Sequence, residues 1–74
     1  MKPQGQQNWS TFFQRAGIPT QLSADYAALF QRHRIQRSML GDLDKALLNE
    51  IGVSAVGDVI AILKQAKLAL SEMI

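Results

Sequence analysis

The chain contains no cysteine and only one histidine among its 74 residues. Without cysteine it can form neither a disulfide framework nor a thiolate metal site, and nothing points to secretion. A single histidine also leaves no zinc site of the usual kinds. The composition therefore predicts no metal and no other cofactor, in an intracellular domain that is cytoplasmic or nuclear.

Long hydrophobic runs are missing as well. The longest, Val59 to Leu63, is far shorter than the ~20 apolar residues that a membrane-spanning helix needs. The first residues, MKPQGQQN, lack the apolar segment of a signal peptide, so we expect no membrane association and a disordered tail over residues 1–8. Hydrophobic residues nevertheless make up 47% of the chain, which is ordinary for a globular domain, here expected over residues 9–74.

Catalytic motifs are absent from the sequence. The serines have no nearby histidine–acid partners, and helix caps explain several of them. Gly52 and Gly57 are five apart but lack the Lys-Ser/Thr ending of a phosphate-binding loop. Asp42 and Asp44 are better explained as a turn followed by a cap than as an acid–base pair. The sequence gives no indication of an enzyme.

The apolar residues recur at helical spacing, with no alternation typical of strands. A first helix has apolar residues at i, i+3, i+4 and i+7, namely Trp9, Phe12, Phe13 and Ala16. Asn8 or Ser10 could cap its start, and Gly17 suits its end. A second helix is predicted from Ser23 as N-cap, with Asp25 in its first turn and His33 on its apolar face.

Three further helices are predicted. A short third turn would cover Ser38 to Leu40. Asp44 is the predicted N-cap of a fourth helix, Lys45 to Ile51, which Gly52 ends and against which Val53 folds back. Ser54 would cap a long last helix that runs from about Ala55 to Glu72.

The last helix has more apolar surface than a small core requires. One stripe is sufficient to seal the core: Val56, Ile60, Leu63, Lys67 and Leu70. Further apolar residues lie elsewhere on the helix: Val59, Ala61, Ile62, Ala66, Leu68, Ala69, Met73 and Ile74. Either part of this surface meets another molecule, or the helix is central and the excess is mostly alanine.

The net charge of +2 is too small to indicate nucleic-acid binding by itself. Basic residues cluster near the middle of the chain, namely Arg32, His33, Arg34 and Arg37. Acids follow them, namely Asp42, Asp44, Glu50 and Asp58. The two groups are either solvated faces of opposite sign or complementary patches that meet between copies.

Taken together, these segments resemble a sterile alpha motif (SAM) domain over nearly the whole chain. The resemblance lies in the aromatic first helix ending in Gly17-Ile18, the Tyr26…Phe30 helix and the stretch LNEIGV…VG…ILK. The segment RIQRSMLGDLDK also resembles a subgroup of SAM domains at the N-terminus of otherwise uncharacterised eukaryotic proteins. The resemblance implies an all-α, compact five-helix bundle with a long C-terminal helix and a non-enzymatic role in protein–protein interaction.

Many SAM domains associate head to tail, with an end-helix surface of one copy on the mid-loop surface of the next. Carried over by resemblance, the end-helix surface would consist of Val56, Gly57, Asp58, Val59 and Ala61. The mid-loop surface would consist of Arg34, Gln36, Arg37, Met39, Asp42, Asp44 and Lys45. Members commonly have a basic end-helix and an acidic mid-loop. Because Asp58 stands here in the end-helix, we expect a partly reversed polarity with Val59 as the apolar anchor.

Three functions remain open at this point. The first is homotypic head-to-tail association, as an oligomer or helical polymer that concentrates the parts of a larger protein. The second is heterotypic pairing with another SAM domain or a regulatory partner through the same surfaces. The third and less favoured one is binding of an RNA hairpin, for which the Arg32-His33-Arg34 cluster is the main support.

Overall fold

The computed structural model describes residues 4–72, with side chains from residue 9 onward. Four α-helices and one 3-10 helix, with no strand, make up the regular structure of this range. They are α1 (Gln4–Arg15), α2 (Thr20–Arg32), the 3-10 helix (Arg37–Asp42), α3 (Lys45–Ile51) and α4 (Val56–Glu72). The predicted all-α bundle of five helices with a long C-terminal helix is confirmed. Residues 1–3 of the predicted tail, and Met73 and Ile74, lie outside the described range.

Two helices begin earlier than the sequence predicted. Residues 4–8, predicted as part of a tail, belong to α1. The prediction of Ser23 as an N-cap is wrong, because α2 begins at Thr20, directly after Pro19. Ser23 is buried inside α2, where its hydroxyl donates a hydrogen bond of 3.0 Å to the carbonyl of Ile18.

The ends of α1, α2 and α3 share one hydrogen-bonding pattern. After each helix, the amide of an apolar residue donates to a carbonyl five positions earlier, as in a Schellman motif: Ile18 to Phe13, Ile35 to Phe30 and Val53 to Leu48. The residue before each donor has positive φ, and it is Gly17, Arg34 and Gly52 in turn. The predicted stops at Gly17 and Gly52 are thereby confirmed, and so is the folding back of Val53, which is fully buried.

Aromatic rings from α1 and α2 form the centre of the core. The ring centroid of Phe30 lies 4.8 Å from that of Trp9 and 4.9 Å from that of Phe13, and both pairs pack edge to face. Such pairs contribute about 0.5–1.5 kcal/mol each beyond the area that they bury. Tyr26 continues the cluster toward α4, with its ring 5.8 Å from that of Phe13. His33, predicted on this apolar face, is exposed at the end of α2 instead.

The core face of α4 differs from the predicted stripe. Its buried residues are Val59, Ile62, Ala66 and Ala69, whereas Val56 and Ile60 are 65% and 52% exposed. The helix packs against α1 and the 3-10 helix. Two of its four buried residues are alanines, and their small side chains permit a close approach of the neighbouring helices. Val56, Ile60 and Leu68 lie outside the core, on the exposed side of the helix.

The described part of the chain has no single helix long and apolar enough to cross a membrane. The pair α3 and α4 meets the length and composition criteria only when taken together, and it is bent by 118°. The radius of gyration is 11.3 Å, equal to the ~11 Å that a compact chain of this length is expected to have. The exposed residues of α4 thus lie on the surface of a tightly packed bundle.

Candidate interaction surfaces

Three apolar side chains of α4 are exposed in one line. Val56, Ile60 and Leu68 occupy positions four and eight residues apart, and Lys64 fills the gap between the last two. Residues at i and i+4 are neighbours on one helix face, so the four side chains form a continuous strip, which we call the α4 strip. Leu68 is 58% exposed. Three large apolar residues in one strip are more than the isolated surface leucines of an ordinary monomer.

A groove runs beside this strip, between α4 and the end of α1. It has a volume of about 370 Å³, and we call it the seam groove. Its lining includes Arg15 and Ala16 of α1 and, from α4, Ile60, Ala61, Lys64 and Leu68. The groove therefore combines an apolar floor with two cationic side chains. Gly57 and Ala61 of the predicted end-helix surface line it as well.

Two of the predicted end-helix residues face inward. Val59 is only 4% exposed and belongs to the core cluster, so its prediction as the apolar anchor of a contact is wrong. The physical reason is helix geometry, because each residue turns the helix by about 100° and only one side of the first turn faces α1. Ile60, the next residue, is exposed in its place. The predicted surface keeps two exposed residues, Val56 and Gly57, and the partly exposed Ala61.

Asp58, half-buried in the first turn of α4, is held by a specific contact. The hydroxyl of Tyr26 on α2 donates a 2.5 Å hydrogen bond to its carboxylate oxygen Oδ2. Burial raises the pKa of Tyr26 to about 12, and the hydrogen bond to Asp58 adds to this effect. The phenol is therefore neutral and able to donate at any physiological pH. Asp58 thus joins the first turn of α4 to α2, and the phenol orients its carboxylate without neutralising it.

The predicted mid-loop residues are all exposed: Arg34, Gln36, Arg37, Met39, Asp42, Asp44 and Lys45. Met39, 38% exposed, is the large apolar residue among them. Met39 and Asp42 are three apart in the 3-10 helix, where such residues lie above one another. This places an apolar side chain beside an acid.

Two mid-loop residues also have structural contacts. The Asp44 side chain accepts a 2.8 Å hydrogen bond from the Leu47 amide, which confirms it as the N-cap of α3. The Arg37 guanidinium lies over the Trp9 ring, 5.8 Å from its centroid. The side chains of the other five, Arg34, Gln36, Met39, Asp42 and Lys45, have no such contact within the described residues.

Sequence reasoning missed Ile60, Lys64 and Arg15 as surface residues of interest. Ile60 had been placed in the core, and the helical period alone could not correct this, because apolar residues occur on both sides of α4. Arg15 comes beside Ile60 only through the packing of α1 on α4, which no local pattern reveals. Within residues 4–72, no cluster of three or more His, Cys, Asp or Glu is placed to hold a metal ion.

A small helical domain that exposes apolar side chains on two separate elements has the features of an interaction module. The family model described as SAM domain (Sterile alpha motif) matches residues 4–73. The chain therefore belongs to the SAM domain family and is a protein–protein interaction module.

A curated relative matches part of the chain. It is the Actin cytoskeleton-regulatory complex protein SLA1 of Mycosarcoma maydis, 36% identical over 62 residues. The match covers 84% of this chain but only 5% of the relative, so the domain corresponds to a small part of that protein. No solved structure matches the chain.

Proposed function

We propose that this domain associates with itself head to tail, as an oligomer or a helical polymer. The end-helix surface consists of Val56, Gly57, Ile60 and Ala61 at the start of α4. It docks on the mid-loop surface of the next copy, where Met39 and Asp42 supply the central contacts. The exposure of Ile60, an isoleucine that the fold does not bury, is the observation that carries the proposal.

The charges around the two surfaces support a definite polarity. Lys64 and Arg15 line the seam groove beside Ile60, and Asp42 lies beside Met39 in the 3-10 helix. The cations beside Ile60 would thus meet Asp42 of the next copy, although the mid-loop surface as a whole also carries Arg34, Arg37 and Lys45. This polarity differs from the reversed polarity expected from the sequence, in which Asp58 of the end-helix surface faces the cations of the mid-loop surface. Charge complementarity of this kind speeds association and fixes the register of the contact.

The two surfaces are different, and this determines the form of the assembly. A contact between unlike patches of identical chains is heterologous, so each bound copy presents a fresh surface of each kind. Such contacts form a ring if the rotation closes and a filament if it does not. Either form would concentrate whatever the rest of the protein carries.

Two substitutions test the proposal by sedimentation velocity. Ile60→Glu and Met39→Glu each place a charge in one of the two surfaces, and each should weaken association by about tenfold or more. Leu22→Glu is the matched control, because Leu22 is 37% exposed on α2 and lies in neither surface. All three variants should keep the helical circular dichroism of the wild type. An equimolar mixture of the two surface variants should give a dimer, since each retains the surface that the other lacks.

The result that would contradict the proposal is equally specific. A wild type that stays monomeric at the highest accessible concentration, with all three variants sedimenting as it does, excludes homotypic association. The second candidate, a heterotypic SAM adaptor, uses the same exposed Ile60 and Met39. A monomeric wild type that binds a different SAM domain, with loss of binding in Ile60→Glu or Met39→Glu but not in Leu22→Glu, favours it.

The cellular setting is also part of the proposal. The matched relative is named for regulation of the actin cytoskeleton. We propose that this chain is also intracellular, in the cytoplasm or the nucleus, as the absence of cysteine predicts.

A further inference from the structure

Two arginines from different elements line one small cavity at the far end of the seam groove. Arg15, in the last turn of α1, and Arg37, at the start of the 3-10 helix, both line it, together with Thr11, Gln65 and Glu72. The cavity has a volume of about 150 Å³, enough for a carboxylate group with its hydrogen-bonded surroundings. Two guanidinium groups against one carboxylate leave it with a net positive charge.

Arg37 is held in place before any ligand arrives. Its guanidinium carbon lies 5.8 Å above the ring of Trp9, and that ring is itself buried in the aromatic core. A cation over an indole face is stabilised electrostatically, so the side chain loses less conformational freedom when it binds an anion. The arrangement therefore favours a direct contact between Arg37 and a bound carboxylate over a long-range electrostatic attraction.

The cavity between Arg15 and Arg37, which we call the arginine cavity, continues into the apolar seam groove. Arg15 and Gln65 line both spaces, so the two share a wall. From Gly57 to Leu68 the groove follows about 16 Å of α4, at 1.5 Å per residue. The result is one elongated surface with an apolar middle, Lys64 on its side and two arginines at its end.

We propose that this surface binds a short acidic segment of a partner polypeptide. A carboxylate of the segment enters the cavity between Arg15 and Arg37, and adjoining apolar side chains lie on Ile60, Ala61 and Leu68. Charge complementarity identifies the occupant as acidic, and the length of the groove identifies it as a linear segment. The Met39–Asp42 pair of a second copy is one apolar and one acidic side chain, too short to cover both the groove and the cavity.

This inference goes beyond the proposed self-association, and its test does not depend on it. The protein is the Met39→Glu variant, in which the seam groove is unchanged whether or not the wild type associates. The probe is a short fluorescein-labelled peptide of glutamate and leucine pairs, followed by anisotropy. Arg15→Gln should weaken its binding by about fivefold or more, whereas Glu72→Gln should strengthen it. Arg32→Gln, an exposed arginine at the end of α2, is the matched control and should change nothing.

A spectroscopic readout reports on the arginine cavity directly. Trp9 is the single tryptophan of the chain, so unlabelled peptide that engages Arg37 should shift its emission. Arg37→Gln should abolish that shift, with thermal unfolding confirming that the variant is folded. A peptide with glutamine in place of glutamate should bind at least about fivefold more weakly.

Three results would overturn the proposal. The first is equal affinity for the glutamate and glutamine peptides. The second is equal binding by the Arg15→Gln and Arg32→Gln variants. The third is no peptide binding together with weaker self-association of Arg15→Gln in an otherwise wild-type chain, which would assign the cavity to a second copy.

Discussion

Tyr26 and Asp58 join the middle of α2 to the first turn of α4, 32 positions apart in the sequence. The phenol must be neutral to donate its hydrogen bond. Burial and the neighbouring carboxylate disfavour its ionised form, which is why its pKa rises to about 12 from an ordinary value of 10.0. Together with the packing of α4 on α1 and the 3-10 helix, this contact positions the start of α4, where Val56 and Ile60 are exposed.

The raised pKa predicts a loss of stability at alkaline pH. The unfolded chain releases the phenolic proton near pH 10, whereas the folded chain holds it until about 12. Between these values the folded state binds more protons, so the free energy of unfolding falls as pH rises. At about 1.4 kcal/mol per pKa unit, a rise of about two units gives a loss of up to about 3 kcal/mol. Below pH 10 both states hold the proton, so the contribution of this group is fully present and does not change with pH.

Urea denaturation of the wild type and Tyr26→Phe at a series of pH values measures this effect. The phenylalanine variant should be less stable by about 1 kcal/mol at neutral pH, because Asp58 loses its donor. It should also lack the part of the alkaline decline that comes from Tyr26, so above pH 10 the wild-type curve falls to that of the variant and then below it. Parallel curves across the whole range would mean that the phenol does not titrate with unfolding.

Val59 and Ile60 show what a single residue's position in a helix decides. Both are β-branched aliphatic residues, and the sequence pattern does not distinguish them. The core face consists of Val59, Ile62, Ala66 and Ala69, and the first two are as large as the exposed Val56 and Ile60. Hydrophobicity and size alone therefore do not reveal which side of α4 faces the core, and for Val56 and Ile60 the prediction was wrong.

At the scale of elements, three helices end in the same hydrogen-bonded turn with different residues at its strained position. Gly52 has φ of 120° and Arg34 has φ of 57°, a region that side-chain-bearing residues rarely adopt. A Cβ at Gly52 would also lie 3.2 Å from Cδ1 of Leu29. The same motif is therefore relaxed after α3 and strained after α2.

Substitutions at these positions should change stability in opposite directions. Gly52→Ala should lower the free energy of unfolding by about 1–3 kcal/mol, through backbone strain and the contact with Leu29. Arg34→Gly should raise it by up to about 1 kcal/mol, since glycine adopts positive φ without steric cost. Urea denaturation midpoints measure both.

Gly57→Ala is the control for this pair. Apart from its own turn of helix, no heavy atom of the described residues lies within 4 Å of an ideal Cβ at Gly57, and its φ is not in the strained region. The variant should therefore be as stable as the wild type or more stable. Equal losses of stability in Gly52→Ala and Gly57→Ala would show that the φ angle and the Leu29 contact are unimportant.

The elements that the sequence predicts well are those whose ends depend on local chemistry. Asp44 and Gly52 bracket α3 at the predicted positions, because a cap carboxylate and a glycine act within four residues of themselves. The start of α2 depends on Ser23 bonding to Ile18 across a turn, so the strong capping preference of serine was misleading. The contact between α1 and α4 that creates the seam groove is tertiary and has no local signal.

At the scale of the whole molecule, the charged residues that we propose to face each other differ in sign. Arg15 and Lys64 lie along the seam groove, and Asp42 lies on the 3-10 helix. Both Lys64 and Asp42 are exposed, so their substitution should leave the fold intact. If copies associate with a basic end-helix against an acidic mid-loop, the sign of these charges decides the strength of association.

A charge exchange tests this polarity. Lys64→Glu and Asp42→Lys should each weaken self-association by up to about tenfold, because each places like charges on facing surfaces. The chain with both substitutions should recover most of the loss, since every interface again joins opposite charges. The loss of association in each single variant should be smaller at about 300 mM salt than at about 50 mM, because the Debye length is shorter at the higher salt concentration. Stronger association of the single variant Lys64→Glu would instead support the reversed polarity, in which the basic mid-loop residues Arg34 and Lys45 meet an acidic end-helix.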